Sequence, residues 1–101
     1  MDVLVRIKRC ALANQLLFTA KAKDELELND LTVDDIRESL LNAVAIYKTV
    51  RSTNPYTRAR EYLYIIESPN LDGIVIYTKG KLTKAGSTEI YYLLISSKPA
   101  L

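Results

Sequence analysis

The spacing of apolar residues changes near residue 45, and this change limits the folds open to the chain. Before it, apolar residues recur every three or four positions, as on one side of an α-helix. After it, they alternate with polar residues or form short apolar runs, as in β-strands. Helices followed by consecutive strands predict an α+β domain, with N-terminal helices packed on one face of a mostly antiparallel sheet of about four strands.

The N-terminal part of the chain predicts three helices. Residues 2–14 have the period of a first helix, and "KAKDELELND" predicts a short second one. "LTVDDIRESLLNAV" predicts a third, with Thr32 as its N-cap and Val44 as its last candidate core residue. Between the first two helices, "QLLFTA" breaks the helical period and is expected to be a short extended piece.

Four strands are predicted after residue 45. They are "AIYKTVR", "EYLYIIES", "GIVIYTKGKLTK" with a kink at Gly80, and the very apolar, central "TEIYYLLISSK". Strict alternation would put Tyr92 and Lys98 on one side of the last strand. On the third strand, Tyr77 and Lys79 share a face about 7 Å apart, a workable spacing for two groups that act on one phosphate.

Composition excludes several classes of chemistry. The 101 residues predict one domain, residues 1–101. The chain has no histidine and a single cysteine, Cys10, which excludes His-dependent triads, an internal disulfide and a cysteine-based zinc site. No apolar run reaches the roughly 18 residues of a membrane span. Charged residues from Arg6 to Arg9 interrupt the apolar N-terminus, so no signal peptide is expected, and we expect a cytoplasmic location.

The charge is unevenly divided along the chain. Residues 1–44 carry six basic and eight acidic side chains, whereas residues 45–101 carry eight basic and four acidic ones. A basic C-terminal half favours a partner that bears phosphates. The alternative is that these residues are ordinary charged groups at strand ends and in loops, which keep the protein in solution.

Several segments of the chain resemble, in the same order, segments of a known protein family. "FTAKAKDELE", "AIYKTVR", "EYLYIIESP", "GIVIYTKGKL" and "YYLLISSK" are similar to segments of MqsR-type toxins of the RelE-like toxin–antitoxin superfamily. The resemblance covers about residues 16–98. It implies a RelE-like fold and a metal-independent, cofactor-free endoribonuclease that cleaves mRNA and is silenced by a cognate antitoxin protein. The family's functional residues fall on Lys48, Tyr77 and Lys98.

These residues suit metal-free RNA cleavage, in which the 2′-hydroxyl attacks the adjacent phosphate. The reaction needs a base, an acid and positive charge on the non-bridging oxygens. We assign Lys48 and Lys98 to phosphate stabilisation or acid–base catalysis, and Tyr77 to substrate positioning or proton donation. The residues expected to bind flanking RNA are Arg51, Arg58, Arg60, Tyr62, Lys79 and Lys81.

Other readings of the same residues stay open. Lys48 would suit the solvated face of an edge strand, and Tyr77 would suit core packing. A glutamine of the family's site would fall at about Tyr62 or Leu63, but the only glutamine of this chain is Gln15. This departure favours the alternative of a non-catalytic relative that binds RNA or a protein partner through the same surface. In a third reading, the basic half has no functional role.

Overall fold

The computed structural model of the chain describes residues 2–86 and 88–101, which form helices on one layer of sheet. The helices are α1 (Val3–Leu12), α2 (Ala20–Leu28) and α3 (Val33–Asn42). The strands are β1 (Leu16–Phe18), β2 (Lys48–Thr53), β3 (Arg60–Pro69), β4 (Val75–Ala85) and β5 (Glu89–Pro99). The predicted α+β class is confirmed. Within the described ranges, no helix is long and apolar enough to cross a membrane.

The sheet has the strand order β1-β5-β4-β3-β2. Strand β1 runs parallel to β5, and the remaining neighbours are antiparallel. The sheet has five strands in the described chain rather than about four, because the short extended piece Leu16–Phe18 joins it through pairs from Leu16 with Tyr92 to Phe18 with Leu94. Strand β5 is therefore an interior strand, as its apolar sequence predicted.

Local hydrogen bonds set where the helices begin and end. Thr32 caps α3, since its hydroxyl accepts from the backbone N–H of Asp35 while the Asp35 carboxylate accepts from the backbone N–H of Thr32. The prediction that Val44 faces the core is wrong. Helix α3 ends at Asn42, the backbone of Ala43 is extended, and the Val44 side chain is 96% exposed.

The core lies between the helices and one face of the sheet. The helices contribute buried side chains such as Ile7 and Leu40, and the sheet contributes Ile66, Tyr92 and Leu94. The Tyr92 ring lies so close to β4 that only glycine fits at residue 80. A Cβ atom there would lie 2.7 Å from the Tyr92 Cζ atom and 2.7 Å from the Leu93 carbonyl oxygen.

A β-bulge in β5 changes which side chains share a face. Leu94 pairs with Gly80, but Ser96 pairs with Lys79, so Ile95 is the extra residue. The prediction that Lys98 shares a side with Tyr92 is therefore wrong. The extra residue shifts the alternation, and Lys98 lies opposite Tyr77 on the face away from the helices.

Candidate functional site

The face of the sheet away from the helices, called here the open face, is uncovered in the described part of the chain. It carries alternate residues of each strand, and among the described residues only Ser96, beside the bulge, is buried there. Four lysines and three glutamates lie on it: Lys48, Lys79, Lys81, Lys98, Glu61, Glu67 and Glu89. The open face is therefore basic on balance and can approach an extended anionic ligand.

Glu67, Tyr77 and Lys98 form one row across three strands of the open face. The register pairs Glu67 of β3 with Tyr77 of β4, and Tyr77 with Lys98 of β5. The Lys98 Nζ atom lies 5.6 Å from the centre of the Tyr77 ring, within the range of a cation–π interaction. The three side chains line a shallow cavity of about 370 Å³ beside the C-terminal residues. A carboxylate, a phenol and an ammonium group thus share one small site.

Two further lysines occupy the next row of the open face. Lys48 pairs with Ile65, which pairs with Lys79. From the spacing of strands and residues, the Cα atoms of Lys79 and Lys98 are about 8 Å apart, whereas those of Lys48 and Lys98 are about 16 Å apart. Lys79 and Lys98 can therefore contact one phosphate, and Lys48 is placed to contact another phosphate of the same strand.

The residues predicted to bind flanking RNA are not all brought together. Lys79 and Lys81 join Tyr77 on the open face. Arg51 pairs with Tyr62, and Thr53 with Arg60, on the opposite face, beyond the part of the sheet that the helices cover. Arg58 lies in the exposed loop between β2 and β3. The predicted set is thus divided between two faces of one sheet.

Glu61 links three parts of the fold. One of its carboxylate oxygens accepts from Lys81 Nζ at 3.0 Å and from Asn54 Nδ2 at 3.1 Å. The hydrogen bond from Asn54, followed by that from Lys81, lowers the pKa of Glu61 below its usual value. Glu61 is therefore held by two hydrogen-bond donors. Glu67 lies exposed beside Tyr77.

The buried titratable groups of the core are not candidates for catalysis. Burial raises the pKa of the Cys10 thiol, which donates a weak hydrogen bond to the Ile90 carbonyl oxygen at 3.6 Å. Burial also raises the pKa of Tyr92, whose hydroxyl donates to the Tyr64 carbonyl oxygen at 3.4 Å. Both groups stay protonated near neutral pH. In residues 2–86 and 88–101, no group of three or more His, Cys, Asp or Glu side chains is placed to hold a metal ion.

The Glu67–Tyr77–Lys98 row contains the groups that metal-free transfer of a phosphoryl group requires. A carboxylate can accept a proton, a phenol can donate one, and an ammonium group can stabilise a non-bridging oxygen. Sequence reasoning missed Glu67, because nothing local distinguishes it from a solvated strand residue. Only the pairing of β3 with β4 places it beside Tyr77.

The fold and this site define a class of protein: an α+β domain with a basic, uncovered sheet face. No protein-family model, characterised protein or solved structure matches the chain.

Proposed function

We propose that the protein is a metal-independent endoribonuclease whose active site is the Glu67–Tyr77–Lys98 row. The observation that carries the proposal is this row itself, with the Lys98 ammonium group over the Tyr77 ring and a carboxylate on the other side. The resemblance to MqsR-type toxins independently implies Tyr77 and Lys98 as functional residues. The substrate is RNA, because the nucleophile is the substrate's own 2′-hydroxyl.

The proposed reaction is an in-line displacement at phosphorus. Glu67 accepts the proton of the 2′-hydroxyl as the 2′-oxygen bonds to phosphorus. The bond from phosphorus to the 5′-oxygen breaks, and that oxygen takes the proton of the Tyr77 hydroxyl. Lys98 and Lys79 stabilise the charge on the non-bridging oxygens. The products are a 2′,3′-cyclic phosphate end and a 5′-hydroxyl end, and solvent restores both side chains.

The biological setting is part of the proposal and comes from the resemblance alone. It comprises a RelE-like arrangement of the fold, mRNA as the cellular substrate, a cognate antitoxin protein as the partner and a cytoplasmic location. Lys48 contributes a second phosphate contact in this proposal rather than a catalytic group, because of its estimated distance of about 16 Å from Lys98.

The decisive experiment replaces only the Tyr77 hydroxyl. Tyr77→Phe keeps the ring beneath Lys98 and removes the proton donor, so we expect the rate of RNA cleavage to fall by about 10²- to 10⁴-fold. The measurement is single-turnover cleavage of a mixed-sequence RNA in EDTA, with the cyclic phosphate ends identified. Tyr91→Phe is the matched control, because Tyr91 lies on the same face and its hydroxyl bonds only to Glu89 among the described residues.

A second candidate function is RNA binding without cleavage. The wide spacing between Lys48 and the Glu67–Tyr77–Lys98 row favours this function, because lysines spread over the open face can contact several phosphates of one RNA strand. If the wild-type protein leaves RNA intact, also in the presence of ribosomes, and yet binds it with a salt-dependent affinity, this candidate replaces the enzymatic one.

A further inference from the structure

A cleft divides the sheet at one end of β3 and β4. The two strands pair only from Tyr64 with Gly80 to Pro69 with Val75. Beyond that point, residues 60–63 pair only with β2, and residues 81–85 pair only with β5. The β2–β3 pair and the β4–β5 pair therefore separate, leaving a cavity of about 330 Å³ between them. That volume is at the lower end of the range for small-ligand sites.

The only described salt bridge crosses this cleft. Lys81 of β4 bonds to Glu61 of β3, so these two charges largely neutralise each other. Glu61 also accepts a hydrogen bond from the Asn54 side chain of the β2–β3 loop, which orients the carboxylate within its own hairpin. The Lys81–Glu61 pair thus links the two walls of the cleft where the backbone pairing of β3 with β4 has ended.

Two more cations line the cleft without a carboxylate partner among residues 2–86 and 88–101. They are Arg6 of α1 and Arg60 of β3, both exposed. Because the two arginines come from different elements, they can bind one anion from two directions. A guanidinium group binds phosphate through paired hydrogen bonds. Two guanidinium groups at one cleft therefore favour a ligand with a phosphate group over a neutral ligand.

An aromatic side chain lines the same cleft. Tyr62 is half-exposed there, next to Tyr64 along the wall. An exposed tyrosine ring offers a surface on which a nucleobase stacks, whichever base it is. A phosphate site and a stacking surface inside about 330 Å³ suit a ligand with one phosphate, one sugar and one base.

We propose that this cleft binds a single nucleotide, with its phosphate on Arg6 and Arg60 and its base on Tyr62. This assignment of the nucleotide rests on the proposed function: the nucleotide belongs to the RNA strand and lies beside the cleavage site. The cleft then gives a role to Arg60 and Tyr62, which the open face does not use, and adds Arg6, which no strand pattern indicated.

The test is an NMR titration of the full-length, ¹⁵N-labelled protein with adenosine 5′-monophosphate. We expect shifts of the backbone amides of Tyr62 and Thr83 in the wild type. The Arg6→Ala variant should weaken binding about tenfold, as the loss of one charge-assisted phosphate contact does. Arg9→Ala is the matched control, an exposed arginine of the same helix outside the cleft, and it should bind like the wild type.

Further arms separate the parts of the ligand. Tyr62→Ala should weaken binding of the mononucleotide, whereas Tyr62→Phe should retain it, because the stacking surface is kept. Inorganic phosphate should bind more weakly than the nucleotide. Equal affinity for phosphate and nucleotide, or no shift of cleft amides at saturating nucleotide, would overturn the proposal.

A parallel titration with a 2′-O-methyl oligoribonucleotide, which cannot be cleaved, separates this inference from the proposed function. Weaker oligonucleotide binding by the Arg6→Ala variant supports the cleft as part of the RNA site, and unchanged binding contradicts it. If the wild type neither binds nor cleaves RNA but the mononucleotide still shifts the cleft amides, the proposed function fails and the nucleotide site stands.

Discussion

Gly80 is the residue at which the sheet and the core constrain each other most directly. Its missing side chain lets the Tyr92 ring lie against β4, and the bulge of β5 begins at the same place. The sequence indicated an irregularity at this glycine, because glycine inside a strand pattern is typical of a bulge or a close approach. It did not indicate which neighbour approaches.

We expect Gly80→Ala to destabilise the protein by about 1–3 kcal/mol, the usual effect of adding a carbon atom to a filled core. The added Cβ atom would meet a backbone oxygen and a buried ring, and neither can move away freely. Urea unfolding of the wild type and the variant measures the free energy of unfolding of each. Gly73→Asn is the control, because residue 73 has a φ of 82° and open space around it, and Asn tolerates that backbone conformation. Equal stability of the wild type and Gly80→Ala would contradict this account.

At the scale of elements, the helix caps are local and the strand faces are not. Thr32 was recognisable as an N-cap from the residues around it, and the structure adds its reciprocal hydrogen bonds with Asp35. The face of Lys98 was not recognisable. One extra residue in β5 reverses the alternation, and the sequence "LLISSK" contains no glycine or proline that would reveal it.

The capping box of α3 makes the stability of the protein depend on pH. The backbone N–H of Thr32 lowers the pKa of Asp35 below its usual value, and the Asn70 side chain adds to this effect, while partial burial opposes it. A folded-state pKa below the unfolded one means that Asp35 stabilises the fold fully above the unfolded pKa of about 3.9. This stabilisation is lost as the pH falls through the lower, folded-state pKa.

We therefore expect Asp35→Ala to lower the free energy of unfolding by about 1–2 kcal/mol at pH 7, which is typical for a lost cap. Below the unfolded carboxyl pKa of about 3.9, the difference from the wild type should shrink. Urea titrations across this pH range measure it. Asp34→Ala, in the same turn but exposed, should have a smaller effect. A difference that persists undiminished at low pH would refute the role of the carboxylate.

At the scale of the whole molecule, the N-terminal elements β1 and α2 contact the C-terminal strand β5. Strand β1 covers the edge of β5 only as far as Leu94, and α2 continues from there. Thr19 donates its hydroxyl to the Ile95 carbonyl oxygen at 3.3 Å. The Glu25 carboxylate accepts from the Ser96 hydroxyl at 2.9 Å and from the Ser97 backbone N–H at 3.1 Å. The N-cap and a side chain of α2 thus form hydrogen bonds with polar groups at the edge of β5 next to the bulge.

Glu25→Ala should therefore destabilise the whole fold by about 2–3 kcal/mol, since it removes hydrogen bonds to a charged acceptor and leaves buried donors unpaired. Glu25→Gln keeps an acceptor oxygen and should cost less. Glu27→Ala, exposed on the same helix, is the matched control. Thermal unfolding followed by circular dichroism compares the three variants. Similar values for Glu25→Ala and Glu27→Ala would show that α2 is not held to β5 in this way.

The candidate site also contains some residues that were predicted from the sequence and others that only the fold revealed. Lys48, Tyr77 and Lys98 were predicted from the resemblance, and the fold brings Tyr77 and Lys98 together while leaving Lys48 about 16 Å away. Glu67 and the cleft could not have been predicted, because they depend on which residue of β3 faces which residue of β4. Their roles as a base and as a nucleotide site are proposals that the experiments above test.

The sequence by itself determined the α+β class, the positions of the helices, the N-cap of α3 and the number of strands after residue 45. These features follow from apolar periodicity and from hydrogen bonds between residues a few positions apart. Tertiary structure alone decided the parallel fifth strand, the bulge, the Glu67–Tyr77–Lys98 row and the cleft between β3 and β4. Each of these depends on the register and separation of strands that are distant in sequence, which local patterns do not encode.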